Sequence, residues 1–377
     1  MSRVTRQAES TRETGVLYMA IELSASQWHL VSGVGVASPV RHRTIPAGAA
    51  EALREELRRA RARFGLPVDA PVRSCYEAGR DGFWVHRFLT QEGIESLVVD
   101  SSSIEVDRRQ RRAKTDRLDG RRLFRKLVQY WGGDRDTWKV VHVPSEALED
   151  TRHAERGIAT LTAERTRWRN RIHALLMLHG VRTTITGDFG DRLERLRTWA
   201  DAPLPPGLVG RLRQAWRMLT TVEGELRTAR QAQRAELAAA ATAPAQLAVQ
   251  LRRLHAIGEG TAALLAKELF SRDLRNRREV GALTGLVGVP YDSGETSHEQ
   301  GISRAGVSRV RGVAVELAWL WRRYQPRSEL TRWFEHRFGA GGKRARKVGI
   351  VALARRLMVA LWRYLQTGIV PAGATVR

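Results

Sequence analysis

From Val16 the chain alternates short apolar runs with polar breaks, and "VLYMAIEL", "WHLVSGVGV" and "RHRTI" read as three strands of a meander. "AAEALREELRRARARFG" sets Leu53 and Leu57 on one stripe among charges and stops at Gly65, which predicts an amphipathic helix with a glycine end. "PVRSCYEAG" and "SLVVDSSS" read as two more strands, separated by the helical "GFWVHRFLTQEG", and "TDRLDGRRLFRKLVQYW" reads as a helix. The order is βββαβαβα. Strands that alternate with helices late in the run imply a parallel portion, where sites gather at the carboxyl ends of strands.

Between Ser145 and His179 the pattern turns helical, with Leu148, Ile158, Leu161, Trp168, Ile172 and Leu175 spaced by threes, fours and sevens. A second helical stretch, Leu208 to Ala240, uses Leu212, Ala215, Leu219, Val222 and Leu226. Two such helices joined through the proline-rich "TWADAPLPPGL" predict an antiparallel coiled coil, formed within one chain or between copies. A third section begins near Leu247. "LHAIGEGTAALLAKEL" carries an apolar-Gly-x-Gly turn between short helices, a geometry that lets backbone amides approach a phosphate. "EVGALTGLVGVPYDSGETSHEQGISRAG" reads as glycine-rich polar loops, "VRGVAVELAWLWRRY" as a helix, and "KRARKVGIVALARRLMVALWRYLQTG" as a basic amphipathic helix that stops at Gly368. The expected organisation is a frayed leader (1–15), an α/β domain (16–140), a helical coiled-coil connector (145–245) and a mostly α C-terminal domain (247–377).

Charge narrows the partner. The 377 residues hold 64 Lys and Arg against 40 Asp and Glu, a formal net charge of +24, which points to a polyanion. No apolar run approaches the roughly 20 residues needed to span a bilayer, so nucleic acid is the expected partner and no membrane is. The charged, polar N-terminus has no secretory pattern, and cytoplasmic residence follows, with nucleoid association when DNA is bound. Cys75 is the only cysteine, which excludes an intrachain disulfide and a cysteine zinc site.

Acids inside the basic text carry the candidate chemistry. From Asp107 to Leu127 ten Arg or Lys stand against three acids, and Asp116 and Asp119, at i and i+3, share one helix face. Glu22 ends the first strand and Glu77 the fourth, so in a sheet where those strands are neighbours the four acids converge. Crowded carboxylates call for a cation, and magnesium prefers an all-oxygen site. Taken singly, each acid is more often a surface residue or a helix cap. Their order and spacing match what a ribonuclease H-like fold needs.

"YEAGRDGFW" followed by "RRAKTDRLDGRRL" resembles the N-terminal domain of the insertion-sequence 110 family of transposases, the group with a DEDD tetrad. "LHAIGEGTAALLAKEL", "LTGLVGVPYDSGE" and "QGISRAG" resemble that family's second domain, so the resemblance covers nearly the whole chain. It implies a RuvC-like catalytic domain with Mg²⁺ on Glu22, Glu77, Asp116 and Asp119. Glu22 departs from the Asp usual at the first-strand position. The resemblance also implies a nucleophile at Ser293 that links covalently to DNA, conserving phosphodiester energy for strand exchange. From the residues alone Ser293 is an ordinary turn serine, with Ser297, Ser303 and Ser308 as neighbours. The implied partners are double-stranded DNA of the element ends and target, an element-encoded guide RNA, and further copies in a homodimer or homotetramer.

Backbone contacts are expected from Arg111, Arg112 and Lys114 beside the carboxylates, Arg304, Arg309 and Arg311 around the serine, and Lys343, Arg344 and Arg346 after "GAGG". The alternative for each cluster is a solvated charged face. Trp333, Phe334 and Phe338 fit either base stacking or a helical core stripe. Two other functional readings stay open: a metal-dependent junction nuclease without a covalent step, and a noncatalytic nucleic-acid binding relic.

Overall fold

The computed structural model describes residues 15–104, 116–293 and 296–377, and the side chains of residues 102, 116–118 and 290–300 lie outside that description. The chain divides into two compact units, 1–144 and 145–377.

In the first unit, strands β1 (Leu17–Leu23), β2 (Gln27–Gly33) and β3 (Arg41–Pro46) precede helix α1 (Ala50–Arg63). Then come β4 (Val72–Glu77), α2 (Trp84–Gln91), β5 (Glu95–Val99) and α3 (Asp116–Trp131). The five-stranded sheet has the order β3-β2-β1-β4-β5. β1, β2 and β3 pair antiparallel, as short connections require, whereas β4 and β5 return through helices and lie parallel to β1. The element order expected from the sequence is the order found.

Both faces of the sheet are covered. Leu17, Met19 and Ile21 of β1 pack with Leu53 and Leu57 of α1 and Val85 and Leu89 of α2. Tyr18 and Ala20 pack with Leu123, Phe124 and Leu127 of α3 on the other side. A strand buried on both faces reads as an unbroken apolar run, which is why "LYMAI" shows no alternation. Helix α1 closes as expected, with Gly65 at φ +65°.

The second unit is mostly helical: α4 (Glu146–Met177), α5 (Phe189–Arg192), α6 (Pro206–Ala239), α7 (Ala243–Arg252), α8 (Glu259–Leu265) and α9 (Arg277–Thr284). After a hairpin of β6 (Gly288–Ser293) and β7 (Thr296–Ile302) follow α10 (Ser308–Tyr324), α11 (Glu329–Phe334) and α12 (Lys343–Thr367). Helix α4 is capped by Ser145, whose Oγ accepts from the Leu148 amide. Helices α4 and α6 lie antiparallel, since Glu155 meets Gln233 near one end and Arg169 meets Glu223 further along. Ile172 and Leu176 share a cluster with Leu208, Leu212 and Ala215 at the far end. Leu237 of α6 belongs to the core built by α7, α8, α10 and α12, so the long pair and the C-terminal helices form one unit.

The glycine-rich text between α9 and α10, expected as loops, contains the antiparallel β6–β7 hairpin. Its polar and glycine residues hide the strand pattern, because a two-stranded ribbon has little core to alternate against. Among the described residues no helix is long and apolar enough to cross a membrane.

Candidate active site

In the parallel pairing of β1 with β4 the last register partners are Ile21 and Tyr76. Glu22 and Glu77 are the next residue on each strand, so they stand side by side at the carboxyl ends, with backbones about 5 Å apart by sheet spacing. Side chains alternate along strands, and Ala20 and Cys75 belong to the α3 face. Glu22 and Glu77, two residues further on, share that face.

Helix α3 brings the aspartates to the same end. Gly120 presses on β2 so closely that a Cβ there would lie 2.8 Å from Val31 Cγ2 and 3.5 Å from His29 Cδ2. His29 is the register partner of Glu22. One turn later Leu123 offers its carbonyl to Cys75 Sγ at 4.0 Å, and at the far end Trp131 lies under the Arg73 guanidinium, 4.2 Å from the ring centre. The helix therefore runs antiparallel to β4, with its first turn, Asp116 to Asp119, over the strand ends that carry Glu22 and Glu77. Asp119 is partly buried, and the side chain of Asp116 lies outside the described residues. Among the described residues no group of three or more His, Cys, Asp or Glu is gathered closely enough to hold a metal ion.

Burial pushes the Cys75 thiol well above its ordinary range, and the Glu77 carboxylate adds to the shift. His29, which nothing in the sequence pattern singled out, contacts His42 at Nε2···Nδ1 3.3 Å and Thr44 Oγ1 at 3.2 Å. As the register partner of Glu22, His29 shares that sheet end with it.

Ser293 is the last residue of β6 and pairs in register with Thr296. The base of this hairpin is clamped. Gly285 (φ +64°) closes α9, and a Cβ there would fall 2.0 Å from the Ala305 carbonyl oxygen. Gly306 (φ +78°) faces it, with its own Cβ position 2.2 Å from the Leu283 oxygen. The Ser303 amide donates to the Val287 carbonyl at 2.8 Å, and the Val307 amide to the Leu283 carbonyl at 2.8 Å. Two glycines in left-handed conformation thus let the strands leave and rejoin the helices at contact distance. Ser303 and Ser308 are exposed at this base, and the side chain of Ser297 lies outside the described residues.

Comparison with known proteins settles the relationship. Residues 248–331 match the model of the family described as Transposase IS116/IS110/IS902. A Sinorhizobium fredii protein named "Putative transposase y4rJ" is 39% identical over 380 residues, covering 97% of this chain and 96% of that protein. The chain belongs to the IS116/IS110/IS902 family of transposases. A second S. fredii protein, "Putative transposase y4qE", is 29% identical over 261 residues, 67% of this chain and 59% of its own length. The family match runs from α7 into α11 and contains the whole serine hairpin.

Within this family member the cationic residues divide. Arg111, Arg112 and Lys114 lie outside the described residues. Lys343, Arg344 and Arg346 are exposed on the first turn of α12, where like charge at the positive end of a helix is unfavourable without an anion. Arg304 is exposed at φ +54°. Arg311 donates to the Arg304 and Ala305 carbonyls at 2.9 and 3.3 Å and braces the hairpin base. Arg309 turns inward to Glu268 at 3.5 Å and the Glu155 carbonyl at 3.0 Å. Phe334 is fully buried, and Trp333 is half-buried under Arg356 at 4.1 Å, which supports the core reading of that stripe. Around the Gly-x-Gly turn, Gly258 and Gly260 have open space, while Glu259 between them pairs with Arg234 and Arg252 at 3.1 and 3.0 Å.

Proposed function

We propose that the chain is a DNA transposase and recombinase in which a ribonuclease H-like, RuvC-like first unit and the Ser293 hairpin carry strand cleavage and exchange. The observation that supports this most is the placement of Glu22 and Glu77 as register neighbours at parallel strand ends, with the first turn of α3 above them. A central strand flanked by an antiparallel meander and two parallel strands is the sheet order such a domain uses.

The donor set suits magnesium: four carboxylates and no nearby thiol but the buried Cys75. Glu22, Glu77, Asp116 and Asp119 are the residues that would hold it. An ion held by them would offset their charge and supply Lewis-acid polarisation of a phosphodiester oxygen. In the serine step the Ser293 Oγ attacks a strand phosphorus, an Oγ–P bond forms, and one P–O ester bond of the DNA breaks. The serine proton is passed to the freed DNA hydroxyl through solvent or a base, so no external energy source is required. The exposed cations of α12 and the basic segment before α3 hold phosphates. Base pairing by an element-encoded guide RNA selects the sites, and a homodimer or homotetramer brings two duplexes together.

Trapping in denaturant tests this directly, with labelled duplex carrying the insertion junction and the adjoining noncoding transcript. The expected product is DNA on a peptide containing Ser293, eliminated by Ser293→Ala with RNA binding retained. Undiminished adduct in that variant rejects the serine, and free cleaved ends alone mean a metal-dependent nuclease.

A further inference from the structure

A charged network is buried where the long helices meet the C-terminal helices, and its centre is a π-helical turn, Ala266–Phe270, that continues α8. In this turn the Ser271 amide reaches back to the Ala266 carbonyl at 2.8 Å. The Lys267 carbonyl thereby loses its ordinary amide donor and accepts instead from Arg152 Nε at 2.9 Å and Ser271 Oγ at 2.7 Å. An arginine of α4 satisfies what the widened turn leaves open.

The two side chains presented by the turn are opposite in charge and almost wholly buried, Lys267 at 1% and Glu268 at 2% exposure. Lys267 Nζ binds Glu155 of α4 at 3.1 Å and Glu236 of α6 at 2.6 Å. Gln233 of α6 donates to both oxygens of Glu155 at 2.8 and 2.9 Å. Glu268 takes Arg156 of α4 and Arg309 of α10, each at 3.5 Å, and Arg309 also donates to the Glu155 carbonyl at 3.0 Å. Arg309 is the second residue of α10, and Arg311, one residue beyond its neighbour, braces the base of the serine hairpin.

A buried ion network contributes little net stability compared with a well-packed apolar contact, and its best-attested use is to fix register. Apolar helices can slide by a turn, whereas a one-turn slide would part Lys267 from Glu155 and Glu236, and Glu268 from Arg156 and Arg309. We infer that Lys267, Glu268 and Arg309 are positioning residues that index the serine hairpin to the α4–α6 pair, so that the setting of the long helices determines where Ser293 is presented. The inference rests on the proposed role of Ser293 for its consequence in catalysis, but not for its structural content.

Hydrogen exchange on the full-length protein tests the structural content without any reaction. In Glu268→Gln, which keeps side-chain volume, exchange at amides 303–311 and in β6 is expected to rise by roughly 2- to 30-fold, the span typical of coupling mutations. Arg309→Lys, at a partly exposed site, is expected to restore part of the protection that Arg309→Gln loses, and serves if the buried variant does not fold. Faster exchange confined to 266–272 overturns the inference. In the adduct assay the same variants are expected to slow Ser293-linked product by a similar factor while DNA affinity changes less than about twofold. Slowed product together with an equal loss of affinity also counts against positioning. A wild-type protein that yields no adduct disproves the serine reading and leaves the exchange result to decide the network.

Discussion

Cys75 shows how far one residue can report on its surroundings. It is fully buried beneath α3, and both burial and the neighbouring Glu77 carboxylate hold its thiol well above the ordinary range. Between the ordinary thiol value and the raised one, the unfolded chain has released its proton and the folded chain has not. Folded stability therefore falls as pH rises through that window. The expected outcome is no alkylation by iodoacetamide in the native protein at pH 8, rapid alkylation in denaturant, and a falling unfolding midpoint above pH 9. Native reactivity at pH 8 would contradict the burial of that strand face. Lys267, Glu155 and Arg309 give the opposite lesson at the same scale. In sequence they are three charges among 104: Arg309 reads as a phosphate contact beside the serine and the other two carry no signal, and only the tertiary approach of the helices buries Lys267 and Glu155 and turns Arg309 to Glu268.

At the scale of elements, the strands and helices of the first unit were legible because each is bounded by glycine or polar breaks and carries one clear period. The stripe Leu212, Ala215, Leu219, Val222 and Leu226 of α6 is buried throughout. The matching stripe of α4 was only half legible. Ile172 is buried, but the proximal half of that helix buries Arg152 and Glu155, and charged positions carry no hydrophobic period. The β6–β7 hairpin stayed hidden because its residues are polar and its bracing glycines look like loop glycines. The carboxylate positions on the strands could be read, whereas their register could not, since pairing is a property of the sheet. Gly120 marks where α3 seats against β2. In an open helix Gly→Ala gains about 1 kcal/mol, but here the added methyl would stand 2.8 Å from the buried Val31 side chain, and overpacking costs about 1–3 kcal/mol. Gly120→Ala is expected to lower the melting temperature, and a rise would show that α3 is not seated against β2 as described.

For the whole molecule, the proposed chemistry falls in two compact units: Glu22, Glu77, Asp116 and Asp119 in residues 1–144, and Ser293 in 145–377. The +24 charge supplies attraction for a polyanion without choosing among nucleic acids. Membership of the transposase family gives the polyanion a task, and in the proposed reading the carboxylates and the serine are two contributions to one reaction. The measurement that tests this division most directly is the yield of Ser293-linked DNA as Mg²⁺ is titrated, in the wild-type protein and in Glu77→Gln. The expected result is adduct that rises with Mg²⁺ in the wild type and is missing from Glu77→Gln at every concentration, with DNA binding intact in both. Full adduct without a divalent cation, or undiminished adduct in Glu77→Gln, would contradict it.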